Sequence, residues 1–244
     1  IFQTKNKAIL FTSVKGTRFP VATNLYGSLR RLELALGKHP QETINLICEM
    51  AQRKCFEFRI SNLFRVLNLG FRILRGGANF CRKGSVLESS IPDANLKKLP
   101  QITSWPKDGG PFLTLPLVYT ESPSTGTSNL GMYRVQLFSK NECGMHMQIL
   151  RGGGFHYHEA EQKNQALPVH IYLGGPPILT LAAIAPLPEN VSELLFASLL
   201  SGVRPRFACP ERSRRVHDSS ISSMPILANT DFCIIGEIPP HERR

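Results

Sequence analysis

An asparagine and an arginine five residues apart, Asn129 and Arg134, are the first side chains in the sequence whose types suggest chemistry. The planar guanidinium of arginine forms two parallel hydrogen bonds with a carboxylate or a phosphate. The carbonyl oxygen of asparagine is a hard ligand of the kind that Mg²⁺ and Mn²⁺ prefer. Taken alone, the pair is more typical of a turn asparagine and an arginine on an exposed strand face.

A second candidate is the run Arg151–Gly154, an arginine followed by three glycines. Glycines expose backbone N–H groups, and a neighbouring arginine adds positive charge, so the run could hold an anion. It matches neither the dinucleotide fingerprint nor the P-loop, and an ordinary turn between a strand and a helix is the simpler interpretation.

Glu193, at the start of an apolar helix, is most simply a residue that complements the helix dipole. It completes an oxygen site with Asn129 only if the fold brings the two together.

Four histidines, His146, His156, His158 and His170, raise the question of a metal. No HExxH motif is present, and no pairing of cysteine and histidine has zinc spacing. If the segment after the glycines is helical, His156 and His158 diverge. The six cysteines are scattered without a CxxC motif, which predicts free thiols in a reducing compartment and not a disulfide framework.

The elements that position these residues are predicted from periodicity and turn signals. Glu121–Ser128 is a polar loop, and Asn141–Gly144 is a turn between two strands. Strands are expected over residues 8–14, 20–24, 112–120, 132–138, 145–150 and 168–173. Helices are expected over residues 28–36, 40–54, the stretch that ends near 165, 177–185 and 192–201.

Composition limits the function classes. The chain has 244 residues with 42% hydrophobic and 19% charged residues, which is typical of a globular protein, and no apolar run reaches the length of a membrane span.

Residues 1–100 hold 17 Lys and Arg against 6 Asp and Glu, which accounts for the whole net charge of +11. Such a half could bind nucleic acid, an anionic membrane surface or an acidic partner, but no nucleic-acid motif accompanies it. Residues 204–215 contain five arginines and are expected to form an exposed, inserted basic loop or to be the product of an irregular gene region.

Several motifs together carry a family resemblance. They are the opening segment 9–37, Trp105–Asp108, the run NLGMYR at Asn129–Arg134, Arg151–Gly153, Leu173–Gly175, and the run PLPENVSE at Pro186–Glu193. In this order and spacing the chain resembles the UbiD family of decarboxylases, in particular the 3-polyprenyl-4-hydroxybenzoate decarboxylases of ubiquinone synthesis. The resemblance covers nearly the whole chain except residues 204–215 and 56–90.

The resemblance implies an α/β N-terminal domain over residues 1–104, incomplete at its start. A split β-barrel flavin-binding domain of the α+β type follows over residues 105–244, incomplete at its end. By comparison with the family pattern, we expect the C-terminal domain, and the segment that carries the catalytic acids, to be missing from this chain. We therefore expect a fragment that is inactive in isolation.

The resemblance also implies a cofactor, prenylated FMN, with its phosphate held through Mn²⁺ or Mg²⁺. Asn129 and Glu193 match the family's metal ligands. The flavin contacts match three short groups of residues: Met132, Tyr133 and Arg134; His146, Met147 and Gln148; Arg151 and Gly152. Some relatives have a histidine ligand in place of Gly152, and glycine there points to the ubiquinone-type branch.

The implied reaction is the non-oxidative decarboxylation of an aromatic acid, in this branch a polyprenyl hydroxybenzoate of quinone biosynthesis. Arg134 would hold the substrate carboxylate as the catalytic residue beside the flavin. Three alternatives stay open: another aromatic or unsaturated acid such as a menaquinone-pathway acid, a non-catalytic flavin-binding remnant, and a basic nucleic-acid-binding protein. We expect a homo-oligomer in the full-length protein, no nucleic-acid partner, and a cytoplasmic location with at most peripheral contact at the inner membrane face.

Overall fold

The computed structural model of the protein describes residues 7–37, 39–52, 79–91, 95–148, 151–187, 191–208 and 224–243. Its N-terminal part contains an antiparallel pair of short strands, β1 (Ile9–Phe11) and β2 (Val21–Thr23), and two helices, α1 (Leu29–Leu36) and α2 (Pro40–Gln52). These elements confirm the predictions; β1, β2 and α1 are shorter than expected, and residues 53–54, the end of the second predicted helix, lie outside the described residues. Ser28 caps α1 by accepting a hydrogen bond from the Arg31 N–H, and Gly37 ends the helix with φ of 72°.

Two antiparallel four-stranded sheets form the centre of the described structure. Their strands are β4 Gln101–Ile102, β5 Phe112–Leu113, β6 Leu117–Glu121, β7 Ser128–Met132, β8 Arg134–Leu137, β9 Cys143–His146, β10 Leu167–Leu173 and β13 Phe232–Ile238. The first sheet has the spatial order β13, β10, β6, β7, and the second has the order β4, β5, β8, β9.

Two predicted strands are divided between these sheets. The strand expected over residues 112–120 is wrong as a single element, because the chain turns at Leu115, whose φ is 47°, and passes from β5 to β6. The strand expected over 132–138 starts only at Arg134, while residues 128–132 belong to β7. Tyr133 is the point at which the chain leaves one sheet for the other. Asn129 therefore lies within a strand and not at the end of a loop.

Strand β10 is buried on both faces, which explains its almost uninterrupted apolar sequence. Val169, Ile171 and Leu173 belong to an apolar cluster with residues of the second sheet such as Val135. On the opposite face, Tyr172 packs in a cluster with residues of the helices that cover the sheet. The centre of the molecule is thus a layer between two sheets and a second layer between one sheet and helices.

Three helices surround the first sheet: α3 (Gly152–Gln162), α4 (Pro177–Ile184) and α5 (Glu193–Ser201). Their existence confirms the predictions. Helix α5 begins after Ser192 and ends at Gly202, whose φ of 71° suits a left-handed cap. Among the described residues, no helix is both long and apolar enough to span a membrane.

A three-stranded sheet corrects the expectation for residues 204–215. Strand β11 (Arg206–Ala208) pairs in parallel with β3 (Asn79–Cys81) and antiparallel with β12 (Ile226–Leu227). Phe207 is only 2% exposed, so this part of the segment is packed and not an exposed loop. The remaining part, residues 209–215, lies outside the described residues. Strands β3 and β4 precede residue 105 but pair with β11 and β5, which follow it, and the domain boundary at 104/105 remains a prediction.

Candidate functional site

A cavity of about 1100 Å³ lies where β7, the start of α3, the end of α4 and the start of α5 meet. Nine of the ten residues that the sequence singled out line it: Asn129, Met132, Tyr133, Arg134, His146, Gln148, Arg151, Gly152 and Glu193. The tenth, Met147, packs instead against the two apolar clusters behind the cavity wall. Its neighbours His146 and Gln148 line the cavity, as expected where extended residues alternate between faces.

Asn129 is held in place by Tyr133. The Asn129 Nδ2 donates a hydrogen bond of 3.3 Å to the Tyr133 hydroxyl, which also accepts a bond of 3.0 Å from the Gly153 N–H. Burial raises the pKa of Tyr133, so its hydroxyl stays neutral. Because Nδ2 is engaged, the carbonyl Oδ1 of Asn129 is the atom left to act as an acceptor or a ligand.

Glu193 reaches Asn129's strand from the first turn of α5. Its Oε2 accepts a hydrogen bond of 3.1 Å from the N–H of Leu130, the residue that follows Asn129. The fold therefore brings the two residues together, which the sequence could state only as a condition. Burial raises the pKa of Glu193, and hydrogen bonds from the Leu130 and Glu193 N–H groups partly oppose this rise. A buried carboxylate of this kind gains from a cation beside it.

Gly152 leaves the space in front of Asn129 open. A Cβ placed on Gly152 would overlap Asn129 Oδ1 and would lie 2.8 Å from Asn129 Cγ. A Cβ on Gly153 would lie 2.8 Å from the Tyr133 hydroxyl. The two glycines thus allow the N-terminus of α3 to approach β7 closely. Helix N-termini with accessible N–H groups favour anions, and Arg151 is the residue that precedes this helix.

Arg134 stands at the first position of β8, directly opposite His146 on β9. Its guanidinium lies 4.6 Å from the centre of the Phe112 ring, a stacking distance that restricts the orientation of the planar group. An oriented guanidinium can bind a carboxylate or phosphate through two parallel bonds. The lining contains two arginines and two histidines, Arg134, Arg151, His146 and His156, and two acidic side chains, Glu159 and Glu193.

The oxygen donors of Asn129 and Glu193 fit a divalent cation such as Mn²⁺ or Mg²⁺ by their chemistry. Within the described parts of the chain, no group of three His, Cys, Asp or Glu side chains could hold a metal by itself. Water molecules or the oxygen atoms of a bound anion would therefore supply the further ligands. A phosphate between the cation and the start of α3 would meet that need.

The sequence did not assign several cavity residues to the site: Glu159 on α3 was not considered, and His156 on the same helix was considered only as a metal ligand. His156 is buried and accepts or donates a 2.9 Å hydrogen bond with Thr120, whereas His158 is exposed, so the two histidines diverge as the helical interpretation predicted. The signal for His156 was available, because it lies four residues after Gly152 and therefore on the same face of the helix.

Comparisons with known proteins agree on one family. A family model described as the 3-octaprenyl-4-hydroxybenzoate carboxy-lyase Rift-related domain matches residues 80–244. The model of the N-terminal domain of the same carboxy-lyase matches residues 1–51. A Chlamydia pneumoniae protein, named as one of the subunits of a 4-hydroxybenzoate decarboxylase, is 45% identical over 244 residues, which are 100% of this chain and 40% of that protein.

Solved structures show the same fold at low sequence identity. Vanillic acid decarboxylase from Sedimentibacter hydroxybenzoicus, in closed form, matches with a TM-score of 0.74 and 23% identity, over 97% of this chain and 47% of that chain. An evolved dimeric form of the UbiD-class enzyme HmfF from Pelotomaculum thermopropionicum, in complex with prFMN, matches with a TM-score of 0.74 and 20% identity, over 97% and 49%. The chain therefore spans less than half the length of each of these relatives.

Proposed function

Because the chain belongs to the UbiD family of carboxy-lyases, we propose that it forms the cofactor-binding part of a decarboxylase that acts on an aromatic acid. In this proposal the cavity binds prenylated FMN, the cofactor present in the HmfF complex. The observation that carries it is the convergence of Asn129, Glu193, Arg134 and the glycine-rich start of α3 on one cavity. The two four-stranded sheets would be the split barrel that the resemblance implies.

We propose that Asn129 and Glu193 hold a Mn²⁺ or Mg²⁺ ion that binds the cofactor's phosphate. The ion would neutralise the buried Glu193 carboxylate, whose pKa is raised by burial in its absence. The Leu130 N–H would orient that carboxylate. The Tyr133 hydroxyl would hold the Asn129 amide through Nδ2, which leaves Oδ1 as the ligand atom. Gly152 would keep the phosphate position clear of a side chain.

Decarboxylation needs an acceptor for the electron pair that remains when CO₂ leaves, and prenylated FMN supplies it when bound. The protein's task is to bind the substrate carboxylate and orient it. We assign this to Arg134, since stacking on Phe112 restricts its guanidinium before any ligand arrives. Met132, Tyr133, His146, Gln148 and Arg151 would form the walls around the ring system and its side chain. Met147 would support the wall from behind.

A polyprenyl hydroxybenzoate of quinone biosynthesis is the substrate that we favour, on the description of the matching family model. The name of the Chlamydia relative and that of vanillic acid decarboxylase concern hydroxybenzoates without a prenyl chain. Another aromatic or unsaturated acid is thus the alternative within the family. The full-length protein would be a homo-oligomer in this proposal, as the dimeric HmfF form is.

The metal-dependent flavin site can be tested by fluorescence titration of FMN with the purified chain, with and without Mn²⁺. We expect binding that strengthens with Mn²⁺, and Glu193→Gln should abolish that strengthening because it removes the charged ligand. Glu237→Gln, on the exposed edge of β13, is the matched control and should behave as the unsubstituted chain. No FMN binding in the presence of Mn²⁺ would refute the proposed site.

Turnover is a separate question that the same samples answer. CO₂ release from a panel of hydroxybenzoates is measured with chain that carries prenylated FMN, alongside Arg134→Ala. We expect these 244 residues alone to bind the flavin without releasing CO₂, because they span less than half the length of the relatives. Release that depends on Arg134 would overturn that expectation and support the decarboxylase itself.

A further inference from the structure

His156 has two ring nitrogens in different environments. Its Nδ1 lies 2.9 Å from the Thr120 hydroxyl, and the residue as a whole is 7% exposed. Its Nε2 has no hydrogen-bond partner among the described residues. This nitrogen is nevertheless not fully buried, so a ligand can reach it. Because His156 lines the cavity, Nε2 is the nitrogen that is open to it.

The Thr120 hydroxyl decides which nitrogen carries the proton. Thr120 is fully buried, and a buried hydroxyl needs an acceptor for its proton. Among the described residues, the only hydrogen-bond partner of this hydroxyl is His156 Nδ1. The hydroxyl therefore donates to Nδ1, and the ring of a neutral histidine must then carry its proton on Nε2. Burial lowers the pKa of His156, in keeping with a neutral ring.

The position of His156 places this N–H at the start of α3. The residue is one turn after Gly152, and side chains on a helix lean toward its N-terminus. Thr120 is the direct cross-strand partner of Asn129, so the anchor of His156 stands beside the proposed cation ligand. Glu159, the neighbouring acid, is held by Ser122, whose hydroxyl donates to its Oε2 at 2.6 Å.

We propose that the Nε2–H of His156 donates a hydrogen bond to a phosphate group bound at the N-terminus of α3. The inference rests on the proposed function, in which that phosphate belongs to the flavin nucleotide. The backbone N–H groups at the start of the helix and the side chain of Arg151 attract the anion. His156 adds a directed donor whose tautomer is set in advance by Thr120. In this tautomer Nε2 carries a proton, so His156 is not a ligand of the metal ion.

The tautomer is tested first, by ¹⁵N NMR of the imidazole side chains. The His156 signal is assigned by its loss in His156→Asn, and His158→Asn on the exposed face of the same helix is the matched control. We expect a protonated Nε2 and an unprotonated Nδ1. Thr120→Val, which removes the hydroxyl, should allow a mixture of tautomers. A protonated Nδ1 in the unsubstituted chain would overturn the proposal.

The contact is tested by comparing FMN with riboflavin, which lacks the phosphate, in the presence of Mn²⁺. Asparagine at position 156 can still accept from Thr120 but is too short to present a donor at the place of Nε2. His156→Asn should weaken FMN binding about tenfold, because a hydrogen bond to a charged group is stronger than a neutral one, and change riboflavin binding less than twofold. An equal loss for both ligands, or no loss, would overturn the proposal.

Inorganic phosphate separates this inference from the proposed function. Phosphate alone should move the His156 Nε2–H signal in the unsubstituted chain. A cavity that binds no flavin but shows this shift refutes the flavin site and supports the phosphate contact. FMN binding that is undiminished in His156→Asn refutes the contact and leaves the flavin site standing.

Discussion

Replacement of Gly152 by alanine tests the close approach of α3 to Asn129. The added Cβ would overlap Asn129 Oδ1 and lie 2.8 Å from Cγ, so the Asn129 side chain must leave its present position or the helix must move by more than a few tenths of an ångström. A side chain about 30° off its rotamer costs about 0.5–1.5 kcal/mol. Replacing glycine by alanine also reduces the conformational freedom of the unfolded chain, which stabilises the folded state by about 0.4–1 kcal/mol and offsets much of that cost. The free energy of unfolding of the ligand-free chain should therefore change by less than about 1 kcal/mol.

Ligand binding by Gly152→Ala should suffer far more than stability. A displaced Asn129 no longer presents Oδ1 beside Glu193, so one of the two protein oxygen donors of the proposed cation site is lost. We expect Mn²⁺-dependent FMN binding to weaken at least tenfold, which corresponds to about 1.4 kcal/mol. Fluorescence titration measures the affinity, and urea unfolding measures stability. Gly236→Ala, where a Cβ meets nothing within 4 Å, is the control. Unchanged Mn²⁺-dependent binding in Gly152→Ala would refute the assigned role of this glycine.

Three further predictions concern stability. Glu193→Gln should leave the ligand-free chain at least as stable at pH 7 as the unsubstituted chain, because the raised pKa of Glu193 means that folding disfavours its charged form. A clear loss of stability in urea unfolding would contradict this. Phe207→Ala should lower the free energy of unfolding by about 3–5 kcal/mol, since the ring is 2% exposed. Val203→Ala, at 68% exposure, is the control and should change it by less than about 0.5 kcal/mol. An equally small effect of both substitutions would mean that β11 is not packed. Burial lowers the pKa of His170 to about 4, so the unfolded chain, with a histidine pKa of about 6.5, takes up a proton first as pH falls. Stability should fall between about pH 6.5 and pH 4 by up to about 1.4 kcal/mol per pH unit, and His170→Gln should reduce that slope in urea unfolding measured across this range.

The differences between predicted and observed strands share one cause. Apolar patterning indicates that residues 112–120 and 132–138 are extended, and most of them are. Apolar patterning does not show where the chain passes from one sheet to another, because the residues on either side of the passage are apolar in both sheets. The turn at Leu115 and the passage at Tyr133 are visible only once the partner strands are known. In the same way, the five arginines of residues 204–215 led to the prediction of an exposed loop, although Phe207 within this segment is buried.

Local sequence determined the elements whose signals are local. Ser28 and Gly37 mark the ends of α1, Gly202 marks the end of α5, and the residue types of the motifs pointed to a cation, an anion and a carboxylate. Helix caps and turns depend on neighbouring residues, which is why a single sequence is enough to predict them.

Tertiary structure alone decided which of these residues act together. Glu193 is 64 residues from Asn129 in the sequence, yet its carboxylate accepts a hydrogen bond from Leu130, the residue after Asn129, and both residues line the same cavity. The roles of Gly152 and His156 depend on the approach of α3 to β7, and the tautomer of His156 depends on Thr120 from another strand. Such contacts arise from the packing of a helix on a sheet, and their distances and burial are properties of that packing rather than of any one segment.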